Sequence, residues 1–180
     1  SAMNGYSNSK ADASKHLVRF YYDSQEDMFD VVSYSKGGRI LNMLRNYVGD
    51  DAFFKSLNKY LTDNKFGTGS AHKLRLAFEA TTGKDLNWFF NQWYFNNGHP
   101  NLVISNNYDA ATQKLMVVIK QTQNTGLFQL PITIDIYHGA NKKRQMVWAK
   151  NTADTFYFTA STKPDLVNVD ADKVLLAEKK

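Results

Sequence analysis

The residue types that most often carry chemistry are few in this chain, and they are not grouped as common active sites require. No His-Glu-x-x-His motif is present, and no two histidines have the i, i+4 spacing that places both on one helix face. The chain also lacks cysteine, a Gly-x-Ser-x-Gly turn and a phosphate-binding glycine loop. The sequence therefore predicts no metal site and no resident nucleophile in this chain. The histidines are His16, His72, His99 and His138.

Two aspartates and a tyrosine are the other candidates. Asp27 and Asp30 are one helical turn apart and could form a carboxylate pair, but a surface capping role is the preferred interpretation because aspartate is favoured at helix starts. Tyr34 could donate a hydrogen bond, since a phenol stays protonated near pH 7. From the residues alone, a half-buried aromatic side chain at the start of a helix explains Tyr34 better.

The elements that would position these residues change their period near residues 98–100. Before that point apolar residues recur at helical spacing, and after it they alternate as in strands. The pattern predicts an α+β chain, with a small antiparallel helical layer followed by an antiparallel β-sandwich. The predicted helices cover residues 32–47, a segment capped by Asp50, a segment from a Ser70 cap to Gly83, and a segment capped by Asp85. The predicted strands cover residues 102–106, 114–122, 130–137, 144–150, 155–159 and 174–177.

Three parts of the chain are predicted from these patterns. Residues 1–3 (SAM) are interpreted as the remnant of an expression tag. Residues 4–98 form the helical part, and residues 99–180 form the β-sandwich domain.

Composition excludes some classes of protein. Of the 180 residues 43% are hydrophobic, which is ample for a packed core, and no apolar run reaches the ~20 residues of a membrane-spanning helix. The net charge of +5 is spread along the chain, and the one tight basic cluster, residues 142–144, is interpreted as a solvated hairpin tip. We therefore expect no nucleic-acid partner. The absence of cysteine does not indicate a cellular compartment.

Four ordered runs resemble segments of aminopeptidase N-type (membrane alanyl aminopeptidase) zinc metallopeptidases. In residues 28–41 (MFDVVSYSKGGRIL) a Tyr-x-Lys-Gly motif opens an apolar helix. Residues 48–54 (VGDDAFF) and 82–93 (TGKDLNWFFNQW) are also similar, and residues 98–100 (GHP) precede the strands as in that family. The resemblance implies that residues 4–98 are the helical C-terminal portion of a thermolysin-like catalytic domain, and that a β-sandwich domain follows.

The resemblance also implies the cofactor and the partners. In the family, two histidines of a His-Glu-x-x-His helix and a glutamate on the next helix bind zinc, and a Gly-x-Met-x-Asn strand helps to bind the N-terminus of the substrate. None of these is present, so they are expected upstream of Ser1 in a full-length parent. We expect zinc and a peptide substrate in that parent, no metal in this fragment, and the missing N-terminal part of the same chain as its partner.

One catalytic residue carries over from the resemblance. Tyr34 matches the tyrosine of the Tyr-x-Lys-Gly motif, whose phenol is expected to stabilise the oxyanion that forms when water attacks the scissile carbonyl. Lys36 is expected to be structural and could pair with a nearby carboxylate. Gly37 and Gly38 are expected to allow close approach of neighbouring backbone.

The functional hypothesis is a fragment of a zinc aminopeptidase, which hydrolyses N-terminal residues from peptides, with no activity of the fragment alone. The alternatives are a catalytically dead aminopeptidase-like scaffold, which binds a partner, and a β-sandwich that acts as a carbohydrate- or protein-binding module. In the first case, the face left exposed by truncation should favour self-association.

Overall fold

The computed structural model describes residues 15–180. The interpreted tag remnant at residues 1–3 and the first residues of the predicted helical part therefore lie outside the described residues. The chain divides into two compact units, with the boundary between Gly98 and His99. The first unit contains four α-helices and the second contains two β-sheets, which confirms the predicted α+β class.

The first unit begins with a segment that has little regular structure. A single 3-10 turn, Gln25–Met28, starts at a capping box, in which the Ser24 hydroxyl accepts from the Glu26 N–H and the Asp27 carboxylate accepts from the Ser24 N–H. The capping role predicted for Asp27 is thus confirmed. One turn of π-helix, Val32–Lys36, follows and leads directly into the first α-helix.

Helix α1 (Gly37–Val48) buries residues at the i, i+3 and i+4 positions, namely Ile40, Met43 and Leu44. It ends at Gly49, whose φ of +87° favours glycine. Helices α2 (Asp50–Asp63), α3 (Ala71–Thr82) and α4 (Asn87–Trp93) follow in the chain, and each contacts the helix before it.

The predicted caps have different outcomes. The Ser70 hydroxyl accepts from the Lys73 N–H at 3.2 Å at the start of α3, as predicted. Asp50 does not cap α2, which has no side-chain cap. Its carboxylate instead binds Arg45 of the preceding helix at 2.7 Å, so that this prediction is wrong.

Aromatic packing joins the helices of the first unit. The ring of Phe53 on α2 meets the ring of Phe78 on α3 edge to face, with centroids 5.5 Å apart. The buried face of α2 is narrower than its apolar pattern predicts, because Phe54 and Leu61 are exposed.

The second unit consists of two sheets, and burial follows a period of two most clearly in the central strands β2 and β3. One sheet has the order β5-β2-β1-β7 and the other has the order β4-β3-β6. Alternate residues of β2 and β3 are buried, as the period of two predicts. The strands are β1 (Asn101–Asp109), β2 (Lys114–Gln121), β3 (Leu130–His138), β4 (Asn141–Ala149), β5 (Ala153–Thr159), β6 (Leu166–Val169) and β7 (Glu178–Lys179).

The end of the chain differs from the predicted pattern. Residues 174–177 are apolar and mostly buried, but they form no strand, because the Asp170 carboxylate accepts from the Val174 and Leu175 N–H groups in place of a strand partner. Strand β6, which sequence reasoning missed, pairs with β3. Strand β7 pairs with β1 in parallel, the one exception to the antiparallel pairings of the described strands.

No helix within residues 15–180 is both long enough and apolar enough to cross a bilayer.

Candidate functional site around Tyr34

Tyr34 lies in the π turn before α1 and points outward. Its side chain is 64% exposed, and its ring lies 6.2 Å from the ring of Phe29, measured between centroids. The Tyr34 N–H donates to the Asp30 carbonyl at 3.1 Å, which fixes the backbone at the start of the turn. The phenol is therefore accessible to a ligand while its backbone is held.

The π turn places Tyr34 and Lys36 on opposite sides. The Gly37 N–H donates to the Val32 carbonyl five residues earlier, which is the π-helical hydrogen bond. Residues two apart in a helix point in nearly opposite directions. Accordingly Tyr34 is exposed, whereas Lys36 is completely buried, and burial lowers the pKa of the Lys36 ammonium to about 8.

Asp30 stabilises the start of this helical run. Its Oδ1 accepts from the Ser33 N–H at 2.9 Å, three residues later, in the manner of a helix N-cap. The capping interpretation of Asp30 is confirmed in that sense. The carboxylate is only 17% exposed, however, so the site is less superficial than predicted.

Arg19 binds the same carboxylate from another part of the chain. Its Nη1 donates to Asp30 Oδ2 at 2.7 Å and its Nη2 donates to Asp30 Oδ1 at 3.2 Å. The same Nη2 also donates to Ser33 Oγ at 3.0 Å. We call this set of contacts among Arg19, Asp30 and Ser33 the Arg19–Asp30 clasp.

The electrostatics of the clasp favour the ionised carboxylate. Burial alone would raise the pKa of Asp30, but hydrogen bonds from Arg19 and the Ser33 N–H, with the charge of Arg19 and a contact from Lys15, hold it well below its usual range. The clasp is thus a charge-assisted, two-pronged pair, the stronger kind of hydrogen bond.

The segment that carries Arg19 is itself anchored. The Val18 N–H donates to the Tyr94 carbonyl at 2.9 Å, and His16 Nδ1 lies 2.8 Å from the Phe95 carbonyl oxygen. Both partners follow α4. Residues 16–19 therefore connect the end of the last helix to the start of the first.

The two glycines of the motif have different surroundings. A Cβ atom at Gly37 would lie 3.4 Å from Leu17 Cδ1, so a side chain of the anchored segment approaches this glycine. A Cβ atom at Gly38 would meet nothing within 4 Å in the part of the chain that the structure describes. The expected close approach of backbone is therefore wrong for Gly38, and at Gly37 the nearest contact is a side chain.

Two of the histidines contact Phe95, and a third lies in the second unit. His16 contacts the Phe95 carbonyl, and the ring of His72 stacks on the ring of Phe95 at 4.9 Å. His99 Nε2 lies 3.6 Å from a Glu178 oxygen in the second unit. Within residues 15–180, no group of three or more histidine, cysteine, aspartate or glutamate side chains could hold a metal ion. The residues present do not fit a zinc centre.

Several exposed aromatic side chains lie in the segment before Tyr34, and one of them, Phe29, contacts the Tyr34 ring. Tyr21, Tyr22 and Phe29 line one cleft together with Arg19 and Asp30, and Tyr21 also lines a second cleft with Phe20. We call Phe20, Tyr21, Tyr22, Phe29 and Tyr34 the aromatic face; their exposed fractions range from 55% to 96%. Such a large exposed apolar surface is typical of an interaction site.

Sequence reasoning missed Arg19 entirely. It lies outside the motifs and has no regular spacing to Asp30, which is 11 residues away. Asp30 itself was one available signal. A partly buried aspartate before a helix is usually paired with a positively charged side chain, so a cationic partner for Asp30 could have been predicted.

Comparison with known proteins gives a consistent result for the first unit. A sequence profile of the "Peptidase family M1 domain" matches residues 3–93, which is about half of the chain. This range contains the π turn, the clasp and all four α-helices.

Individual relatives agree with that match. Tricorn protease-interacting factor F2 of Thermoplasma acidophilum is 32% identical over 62% of this chain and 14% of its own length. Aminopeptidase N of Haemophilus influenzae is 27% identical over 67% of this chain and 14% of its own length. The crystal structure of Legionella pneumophila aminopeptidase A in complex with aspartic acid has a similar fold, with a TM-score of 0.81 and 17% identity over 99% of this chain and 21% of that one. The chain thus spans about a seventh of the length of these curated relatives.

Proposed function

This chain belongs to peptidase family M1, and on that premise we propose that it is the C-terminal part of the catalytic domain of a zinc-dependent aminopeptidase together with the β-sandwich domain that follows. The whole protein would hydrolyse N-terminal residues from peptides. The observation that carries the proposal is the outward presentation of Tyr34 from a clasped π turn within the matched range.

We propose that Tyr34 is the oxyanion donor. Its phenol O–H can donate a hydrogen bond to the oxygen that gains charge when water attacks the scissile carbonyl. The exposed position of the ring supports this role, because a substrate can reach it. A donor that is already held in place costs no reorganisation at the moment of reaction.

The metal would be held elsewhere. Since no suitable group of ligands exists within residues 15–180, the zinc ligands and the general base are proposed to belong to parts of the protein outside this chain. Consequently we propose that the 180-residue chain has no peptidase activity of its own.

Apart from Tyr34, which stays open to the substrate, the aromatic face is proposed to be the surface that packs against that other part of the catalytic domain. Its large exposed area supports this partner. When the partner is missing, the same surface is proposed to associate with a second copy of the chain.

An assay with aminoacyl chromogenic substrates and excess zinc tests the proposal. We expect no turnover by the 180-residue chain and turnover by the full-length protein. In the full-length protein Tyr34→Phe should lower kcat by about 10²–10³-fold, the usual effect of removing one oxyanion donor. Tyr157→Phe is the matched control, because Tyr157 is equally exposed but lies in the second unit.

Three results would contradict the proposal. Turnover by the 180-residue chain that Tyr34→Phe abolishes would refute its inactivity. Full activity of the Tyr34→Phe full-length protein would refute the catalytic role of Tyr34. A full-length protein that binds no zinc and cleaves no peptide would instead be the non-catalytic scaffold.

A further inference from the structure

Among residues 15–180, the structure gives the Tyr34 ring one aromatic contact. Tyr34 is 64% exposed, and the ring contact that the structure gives it is with Phe29, which is itself 66% exposed. Two exposed rings do not hold each other rigidly. The position of the phenol must therefore depend mainly on the backbone of the π turn.

Asp30, which belongs to the Arg19–Asp30 clasp, holds the backbone of the π turn at Ser33 and at Tyr34. The Asp30 carbonyl accepts from the Tyr34 N–H, and the Asp30 carboxylate accepts from the Ser33 N–H. The carboxylate cannot rotate away from Ser33 without breaking its two hydrogen bonds to Arg19. Arg19 also holds the Ser33 side chain directly.

Arg19 can exert this restraint because its own segment is fixed. Its side chain is 14% exposed, and the adjacent residue, Val18, is hydrogen-bonded to Tyr94 after α4. The Leu17 side chain packs close to Gly37, the first residue of α1. The restraint therefore runs from the end of α4, through residues 17–19, to Asp30 and then to Tyr34.

We propose that Arg19 and Asp30 are positioning residues that set the placement of the Tyr34 phenol and thereby its efficiency as an oxyanion donor. This inference rests on the proposed function of Tyr34. Neither residue touches the reacting atoms; both act through the backbone of the π turn. Misplacement of a catalytic group by about 1 Å can lower a rate by about 10²-fold, so the restraint matters even though it is remote from the bond that breaks.

The test is a double-mutant cycle in the full-length protein, with Asp30→Asn, Tyr34→Phe and the combined variant. We expect Asp30→Asn to lower kcat by about 10–100-fold with KM changed by less than about twofold. In the Tyr34→Phe background the same substitution should lower kcat by less than about twofold, because the group that it positions is already gone. A purely structural role would lower kcat by the same factor in both backgrounds.

The matched control is Asp50→Asn. Asp50 forms a similar two-pronged pair with Arg45 in the same unit, at 2.9 Å and 2.7 Å, but it is away from the π turn. We expect the activity of this variant to be unchanged. A loss as large as that of Asp30→Asn would overturn the inference.

A second variant and a second readout cover the case in which Asp30→Asn does not fold. Arg19→Lys keeps the positive charge but loses the planar fork that binds both carboxylate oxygens. We expect it to lower kcat by about 3–10-fold and to speed amide hydrogen exchange in the peptide that covers residues 30–36, measured by mass spectrometry. Unchanged exchange with unchanged kcat would overturn the inference.

The cycle also separates this inference from the proposed function. If Tyr34→Phe lowers kcat strongly while Asp30→Asn has no effect or an additive one, the positioning role is wrong and the role of Tyr34 stands. If Tyr34→Phe has no effect, the role of Tyr34 is wrong, and the positioning role falls with it.

Discussion

Each of the two units contains an arginine that binds an aspartate through two hydrogen bonds, yet the backbone around the two pairs is very different. In the second unit, Arg144 Nε and Nη2 donate to the two oxygens of Asp135 at 2.6 and 2.7 Å. Arg144 and Asp135 are also directly opposite each other in the ladder between β4 and β3. The backbone pairing of β3 and β4 therefore brings these two side chains together.

In the first unit the dependence is reversed. Arg19 lies in an irregular segment and Asp30 precedes a π turn, so no ladder or helix brings them together. The clasp instead joins the start of the π turn to a segment that is anchored separately through Val18 and Tyr94. In the second unit the strand ladder positions the arginine and the aspartate. In the first unit the arginine–aspartate pair itself restrains the backbone.

The buried charged groups of the two units also differ, because burial and hydrogen bonding shift their pKa values in ways that favour the charged form in one unit and disfavour it in the other. Asp135 is 1% exposed, and hydrogen bonds from Arg144 hold its pKa below the usual range, so that its charged form is favoured. Lys36 of the first unit is 0% exposed, and its burial lowers its pKa to about 8, so that its charged form is disfavoured. Burial thus perturbs the pKa of a charged group two residues from Tyr34, and perturbed pKa values are common at functional sites.

The largest expected effect is on the free energy of unfolding, and it comes from the buried Lys36 side chain. The pKa of Lys36 is about 8 in the folded chain and 10.5 ordinarily, so the unfolded chain binds more protons between those two pH values. Its contribution to the free energy of unfolding therefore rises as pH rises from 8 to 10.5. Lys36→Met should remove that rise and stabilise the chain at pH 7 by on the order of 2–3 kcal/mol. Urea denaturation at pH 7 and pH 10 measures both; a less stable variant at pH 7 would contradict the expectation.

The next prediction, of equal or smaller size, compares the effects of substituting the two aspartates on the free energy of unfolding. Asp135→Asn should lower the free energy of unfolding by about 2–3 kcal/mol, because it weakens charged hydrogen bonds at a fully buried position. Asp30→Asn should cost about 1–2 kcal/mol, because Asp30 is 17% exposed. Chemical denaturation of the 180-residue chain gives both values. The order of the two variants should be reversed for local hydrogen exchange. We expect Asp30→Asn, the less destabilising substitution, to cause the larger local increase in exchange, at residues 30–36. Faster exchange across β3 and β4 in that variant would break the comparison.

The smallest expected effect concerns the aromatic face. Tyr21 is 96% exposed in the first unit, whereas Tyr157 is 64% exposed on β5 of the second. Tyr21→Ser should weaken self-association of the 180-residue chain by about threefold, and Tyr157→Ser should leave it unchanged, since Tyr157 does not belong to the aromatic face. Sedimentation over a range of concentrations measures this. A strictly monomeric chain at high concentration would rule out the association.

Much of the fold follows from local patterns in the sequence. The apolar spacing of Ile40 and Leu44 predicts α1, and the isoleucines at positions 132, 134 and 136 predict β3, because both signals lie within one element. Strand β6 was missed because its four residues are too short for a clear period. Residues 174–177 were predicted as a strand because of their apolar residue types, but their backbone donates to the side chain of Asp170, four and five residues earlier, a contact that apolar spacing does not reveal.

The candidate site divides in the same way. The Tyr-x-Lys-Gly motif identified Tyr34, and the rule for helix starts identified the capping role of Asp30. Arg19 could not be found, because its pairing with Asp30 depends on how residues 16–18 pack near Tyr94 and Phe95, almost 80 residues later in the chain.

The sequence by itself determined the family, the α+β order of the chain and the end of α1 at Gly49. These depend on residues that are neighbours along the chain, where spacing alone decides which side chains share a face. Only the tertiary structure decided that the helix begins with a π turn, that Tyr34 points outward while Lys36 is buried, and that Arg19 closes the clasp. These depend on contacts between distant segments, whose free energy is gained only when both segments are already in place.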